Sequence, residues 1–211
     1  SLYAQNLLPL NSGWQMRDVS GEKWNPAVVP GCVHSDLLRN KLIPDPYYRM
    51  NEKDLQWIDK RDWEYKTTFE VSDQLIEREH LELVFKGLDT FADVYLNDQK
   101  VLSADNMFRE WVVDAKSLLH AGKNGLRIYF HSPIKKGLEL LKENKFGLMA
   151  SNDQAENGGL QKDELVSPFI RKAPYHFGWD WGPRFVTSGI WQPVSIRAWD
   201  EVKIEDFFVQ Q

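Results

Sequence analysis

Trp63-Glu64-Tyr65-Lys66-Thr67-Thr68-Phe69-Glu70-Val71 alternates large apolar with polar residues over much of its length. Successive side chains of an extended chain point to opposite faces, so this period belongs to a half-buried strand. Residues 81–85 repeat the pattern. Further on, Ala92-Asp93-Val94-Tyr95-Leu96, the pair Asn97-Asp98 and Lys100-Val101-Leu102 read as a hairpin, because Asn and Asp tolerate the left-handed backbone of a tight turn. Strands are also expected over residues 110–113, 126–131 and 194–199. Short strands at this spacing, punctuated by Gly and Asn, predict an all-β chain folded as an antiparallel β-sandwich.

Residues 34–39 and 134–145 depart from that plan, with helix-like leucine spacing and with Ser35 and Ser132-Pro133 as starts. Short helices decorating the sandwich are the expectation there. Val202-Lys203-Ile204-Glu205-Asp206-Phe207-Phe208 reads as a strand opening a further element, as in a domain cut from something longer. The polar stretch 147–165 has no periodicity, and a loop of about twenty residues is usually functional or disordered. Its end falls close upstream of Trp179, so it reads either as a mobile flap over a site there or as a solvated excursion.

With 211 residues and 42% hydrophobic content the chain can bury a full core, and one domain spanning residues 1–211 is expected. A formal net charge of -5, a sequence pI near 5.6 and no long Lys/Arg block speak against nucleic acid or an anionic membrane as partner and favour a neutral ligand. The single cysteine, Cys32, excludes an intrachain disulfide and a cysteine zinc cluster, and reads as a small buried hydrophobe. No apolar run approaches the roughly 18 residues of a membrane helix. Leu2-Tyr3-Ala4-Gln5 is compatible with the remnant of an export signal, which makes a periplasmic, secreted or lysosomal location the expectation. Nine Trp and an aromatic fraction of 13% call for a bulky core, an aromatic groove or both.

The groove has a candidate in Phe177-Gly178-Trp179-Asp180-Trp181-Gly182-Pro183-Arg184. An indole offers a flat apolar face and an N–H at its edge, and a carboxylate accepts through both oxygens; together they suit the C–H face and neighbouring hydroxyls of a pyranose. The triplet alone reads equally well as two core tryptophans around a solvent-facing Asp. Gly178 and Gly182-Pro183 break regular structure on both sides and so favour a loop, where binding groups concentrate.

Catalytic chemistry is harder to find. The five histidines, at 34, 80, 120, 131 and 176, include no i, i+4 pair of the kind that holds a metal on a helix. No nucleophile elbow or glycine-rich phosphate loop occurs. Glycoside hydrolysis requires two carboxyl groups about 5–5.5 Å apart for retention or about 6.5–9.5 Å for inversion. The 31 acids identify no such pair; Asp163-Glu164, Asp153 and Glu156 read as solvated charges. Asp180 alone sits in a plausible sugar pocket, which suits binding rather than two-carboxylate catalysis.

With these residues in hand, the chain resembles the N-terminal sugar-binding domain of glycoside hydrolase family 2, most closely that of the β-mannosidases. The likeness runs nearly end to end, through Trp24-Asn25-Pro26-Ala27-Val28-Val29-Pro30-Gly31, the strand from Trp63, and Phe85-Lys86-Gly87-Leu88-Asp89-Thr90-Phe91-Ala92-Asp93-Val94-Tyr95-Leu96-Asn97. The discriminating part is Phe169-Ile170-Arg171-Lys172-Ala173-Pro174, then Trp179-Asp180-Trp181-Gly182-Pro183 and Gly189-Ile190-Trp191. The resemblance implies a jelly-roll-like, galactose-binding-domain-like sandwich in a retaining exo-β-mannosidase that removes terminal β-D-mannose. It implies that Asp180 binds the terminal sugar between the wall residues Trp179 and Trp181, and that Arg171 supports the loop through an ion pair. Galactosidases and glucuronidases of the family generally carry other loops here. The family's catalytic glutamates lie on a later (β/α)₈ barrel, reached through an immunoglobulin-like sandwich, and 211 residues are too few to include either. The expectation is therefore an inactive recognition fragment with no catalytic residue, metal or cofactor of its own, whose partners are the mannoside and the barrel of the same parent chain. Asn51-Glu52 imitates the dipeptide that holds the acid/base in that barrel, but it stands in the charged stretch Arg49-Met50-Asn51-Glu52-Lys53-Asp54, and the role is not transferred to it. Two alternatives stay open: a stand-alone carbohydrate-binding module, and a scaffold whose Trp cluster only packs against a barrel.

Overall fold

Strand β4 (Trp63–Val71) pairs along its whole length with β9 (Gly122–Phe130), Trp63 opposite Phe130 and Val71 opposite Gly122. The computed structural model describes residues 6–204, 206 and 208–210. On its other side β4 meets β2 (Gln15–Asp18), and β2 meets β3 (Asn25–Pro26). Beyond β9 lie β6 (Ala92–Leu96) and β7 (Gln99–Ala104), giving a six-stranded sheet of order β3-β2-β4-β9-β6-β7. A four-stranded sheet is formed by β1 (Asn6–Pro9), β10 (Val194–Trp199), β5 (His80–Phe85) and β8 (Trp111–Asp114), in that order. All these pairings are antiparallel.

Alternate residues of both sheets meet in one buried cluster: Tyr65, Val94, Ile128 and Phe130 from the larger sheet, Leu83, Phe85, Val194 and Ile196 from the smaller. Each such side chain stabilises the fold by about 1.5–3 kcal/mol relative to an exposed one, which fixes the strand register, since a one-residue slip would turn every one outward. The hairpin between β6 and β7 turns at Asn97 and Asp98 with φ of 49° and 65°, the left-handed pair its sequence predicts. The all-β sandwich stands as expected.

Helix α1 (Val33–Arg39) corrects one reading: Ser35 is not its start but its third residue, where its hydroxyl accepts from the Cys32 N–H at 3.2 Å and donates to the Cys32 carbonyl at 2.7 Å. Cys32 is half-buried rather than buried. Short helices α2 (Asn51–Asp54) and α3 (Asp73–Ile76) precede and follow β4. Helix α4 (Pro133–Asn144) begins as its sequence indicates, with Pro133 in its first turn and the Ser132 hydroxyl accepting from the Lys135 N–H at 3.1 Å. Its Ile134 joins Val166, Ile170, Phe177 and Val186 in a second apolar cluster beneath the long loops that precede β10. Two other expectations change. No strand forms at the described residues beyond Trp199, and 147–165 does not stand free: Asp153, Ala155 and Gly158 are buried, and a 3₁₀ turn spans Ala155–Gly158. The stretch Leu2-Tyr3-Ala4-Gln5 lies outside the described residues.

Candidate functional site

The Trp-Asp-Trp triplet lies on a closed four-residue turn. The Trp179 N–H donates to the Gly182 carbonyl at 3.3 Å and the Gly182 N–H donates back to the Trp179 carbonyl at 3.4 Å, so Asp180 and Trp181 occupy the two corners. Trp181 is 80% exposed, which removes it from any core role, while Trp179 is half-buried. The two rings meet edge to face with centroids 5.1 Å apart. Asp180 is exposed, and among the described residues it makes no hydrogen bond or ion pair.

Both ends of the turn are fixed. Upstream, the Gln154 amide donates to the Trp179 carbonyl at 2.6 Å and the Gln154 N–H to the Phe177 carbonyl at 2.9 Å. Gly178, at φ +107°, passes so close that a Cβ there would stand 2.7 Å from the Gln154 Cδ. Downstream, the Arg184 N–H donates to Glu52 Oε1 at 2.7 Å, and its fully buried guanidinium donates from Nη1 to Asp59 Oδ2 and Gln56 Oε1, each at 2.6 Å. Burial pushes the Asp59 carboxyl up, against the pull of Arg184. Gly158 lies on the guanidinium face, where a Cβ would come within 2.4 Å of Cζ. Stretch 153–159 therefore buttresses the turn from beneath instead of covering it. Glu52, whose dipeptide imitated a catalytic one, is an anchor for the turn.

Two cavities open on either side of this turn. One, of about 510 Å³, is mostly aromatic and is lined by Tyr47, Tyr175, His176, Trp179, Trp181 and Phe185. The other, of about 490 Å³, is polar, with Arg49, Glu52, Gln154, Asn157 and Asp180 around the shared tryptophans. Trp179 and Trp181 thus form a common wall, and Asp180 belongs to the polar side.

Beneath the aromatic cavity runs a buried polar chain. Lys172 donates to both carboxylate oxygens of Asp89, and to the Thr187 carbonyl at 3.0 Å; the Lys172 and Asp89 side chains are 0% and 2% exposed. Thr187 Oγ1 lies 2.7 Å from Asp89 Oδ2 and 2.9 Å from His176 Nδ1. His34 packs against Phe185 close by, and its Nδ1 is buried without a partner. Burial first, then the Lys172 charge, lowers both His176 and His34 to about 4, and burial lowers Lys172 itself. The ion pair expected of Arg171 belongs to this neighbouring lysine. Arg171 is exposed, and among the described residues its guanidinium has no ion pair; its part in the fold is a backbone carbonyl that accepts from the Met107 N–H at 3.0 Å.

Sequence reasoning did not single out Tyr47, Tyr175, His176 or Thr187. The doublet Tyr175-His176 beside the triplet was the available signal, whereas Tyr47 is more than a hundred positions away and reaches the cavity only through the fold. Among the described residues no three His, Cys, Asp or Glu side chains are placed to hold a metal, and no helix is long and apolar enough to cross a membrane.

The chain resembles several glycosidases. It is 36% identical over 193 residues to a β-mannosidase of Capra hircus, covering 92% of this chain and 22% of that protein. It is 35% identical to β-mannosidase B of Aspergillus flavus, covering 96% and 23% respectively. The crystal structure of a β-D-mannosidase from Dictyoglomus thermophilum superposes with a TM-score of 0.87 at 40% identity, over 95% of this chain and 23% of that one. The chain therefore spans under a quarter of the length of these relatives. Residues 14–192 match the model of the glycosyl hydrolase 2 galactose-binding domain-like family, and the chain belongs to that family.

Proposed function

We propose that this chain is the sugar-binding domain of a retaining exo-β-mannosidase, and that Asp180, Trp179 and Trp181 form part of the subsite for the terminal mannose. The observation that carries this reading is the pair of corner residues on the fixed turn: an exposed carboxylate without a partner beside an exposed indole, above two cavities. Binding groups concentrate on loops held by a rigid scaffold, and an indole beside a carboxylate suits a sugar's C–H face and hydroxyls. Mannose as the sugar follows from the relatives, whose printed activity is that of β-mannosidases. Catalysis resides in glutamates of a (β/α)₈ domain outside this chain, and the exposed aromatic rim of Tyr47, Tyr48, Tyr175 and Trp181 suits contact with that domain. Residues 1–211 act as one domain, and export belongs to the same reading.

A charge-assisted hydrogen bond contributes about 1.5–3 kcal/mol, so Asp180→Ala in the full-length enzyme lowers kcat/KM on a chromogenic β-mannoside at least tenfold. Unchanged kinetics would remove Asp180 from the subsite. Assayed side by side, the full-length enzyme hydrolyses the β-mannoside in preference to β-galactoside and β-glucuronide, and this chain alone hydrolyses none. Activity in the chain alone would place the reacting carboxylates within it and overturn the domain assignment.

A further inference from the structure

Thr187 Oγ1 has three polar neighbours: Asp89 Oδ2 at 2.7 Å, His176 Nδ1 at 2.9 Å and Lys172 Nζ at 3.1 Å. A hydroxyl has one proton to donate and two lone pairs to offer. Lys172 donates to both oxygens of Asp89, which holds that carboxylate as an acceptor only, so the Thr187 proton goes to Asp89. Lys172 has three N–H groups for four oxygens, the two of Asp89, the Thr187 carbonyl and Oγ1, so it gives only a shared proton to one lone pair of the hydroxyl. The hydroxyl's remaining lone pair faces His176 Nδ1, which must therefore carry the imidazole proton. Burial and the Lys172 charge keep the ring neutral, against the opposing pull of Asp89 and the Phe185 carbonyl; His34 is the other titratable group nearby, and it too is held low. A neutral imidazole has one N–H, which leaves Nε2 as a bare acceptor. The Phe185 carbonyl also accepts from this ring, and a single N–H at Nδ1 has to serve it together with Thr187; the ring lines the aromatic cavity.

We propose that His176 determines specificity in this cavity: Thr187 locks it as the Nδ1–H tautomer, and its Nε2 accepts a hydrogen bond from one hydroxyl of a sugar held against Trp179 and Trp181. The inference rests on the mannoside reading above and adds an acceptor on the aromatic side of the tryptophan wall. A site built to bond a hydroxyl discriminates against the analogue that lacks it, because the acceptor is then left unpaired against the ligand.

The tautomer is read without any ligand, by long-range proton–nitrogen correlation on the chain with nitrogen-15 in its imidazoles at pH 7. Nδ1 is protonated and Nε2 is not; Thr187→Val removes the acceptor and releases the ring toward the Nε2–H form. An Nε2–H tautomer or an imidazolium in the unsubstituted chain overturns the proposal. The ligand contact is read in the full-length enzyme with 4-nitrophenyl β-D-mannoside and its monodeoxy analogues. His176→Phe lowers kcat/KM on the parent glycoside roughly tenfold, the size of one hydrogen bond, and adds no loss on one deoxy analogue. His176→Gln restores part of that selectivity. A uniform loss across the series means that His176 only supports the fold and refutes the contact. If the enzyme prefers another β-glycoside, the mannoside reading falls, and the deoxy series of that sugar tests His176 in the same way.

Discussion

Acid should weaken this domain well before its surface carboxylates protonate, and the cause is the burial of two histidines, reinforced by the charge of Lys172. His34 and His176 lie beside that buried ammonium, and burial and its charge together hold both near 4. In the unfolded chain each histidine titrates near 6.5, so between about 6.5 and 4 the unfolded state takes up protons that the folded state refuses. The stability these histidines contribute is complete above pH 6.5, declines as the pH falls, and is lost by about pH 4. A histidine held at 4 instead of 6.5 contributes about 3 kcal/mol, with a slope of at most about 1.4 kcal/mol per pH unit. That is a large share of the roughly 5–15 kcal/mol by which a domain is stable. Asp36 and Asp59, both raised by burial, act in the opposite direction and gain stability in acid, so the comparison must be made between variants. Urea unfolding followed by tryptophan fluorescence at pH 7, 6, 5 and 4.5 gives the slope. His34→Gln and His176→Asn should each flatten it by about half in this range. The same slope in all three proteins would show that neither histidine is held neutral by its surroundings and would refute the reasoning.

Three other outcomes follow from contacts already described. Lys172→Met strands Asp89 in the interior and should cost about 3–5 kcal/mol in urea or thermal unfolding, with Asp89→Asn in the same background recovering part of it. Gly158→Ala drives a Cβ into the Arg184 guanidinium; about 1–3 kcal/mol of destabilisation is expected, with a change in near-ultraviolet dichroism from the displaced tryptophan turn. Asn97→Ala forfeits the amide bonds to Leu118 and Asn124 and leaves at φ 49° a residue without the polar side chain that eases the left-handed conformation, so thermal unfolding should show a loss of about 1–3 kcal/mol with sugar binding unaltered.

The strands that sequence periodicity located are those whose alternation is unbroken: β4, β6 and β10 match to the residue, and β5 nearly so. β9 begins four residues earlier than expected because its first turn of sequence, Gly122-Lys123-Asn124-Gly125, reads as a loop. Asn124 is nonetheless buried, its amide donating to the His120 and Gly122 carbonyls and its oxygen accepting from Asn97, a polar core position that a hydrophobicity pattern cannot register. β1, β2 and β3 are too short to establish a period. At the site, the triplet was legible because Gly178, Gly182 and Pro183 punctuate it. Its supports were not: Glu52, Gln56 and Asp59 meet Arg184 across more than 120 residues of sequence, and such pairings arise only when the sheets bring the loops together. Arg171 and Lys172 are adjacent cations, and nothing local distinguishes which of them turns inward.

The closed turn at Trp179–Gly182 separates two kinds of position that adjoin in sequence. Gly178, the Trp179 carbonyl, Gly182 and Arg184 are each held by a neighbour at close range, so change there disturbs the scaffold. Asp180 and Trp181 stand outside that framework, with no core contact to lose. Substitution at these two corners is nearly neutral for folding, whatever it does to ligand choice. If the proposed subsite is right, a lineage can therefore explore new sugar preferences at residues 180 and 181 while the architecture that presents them passes unaltered from one specificity to the next.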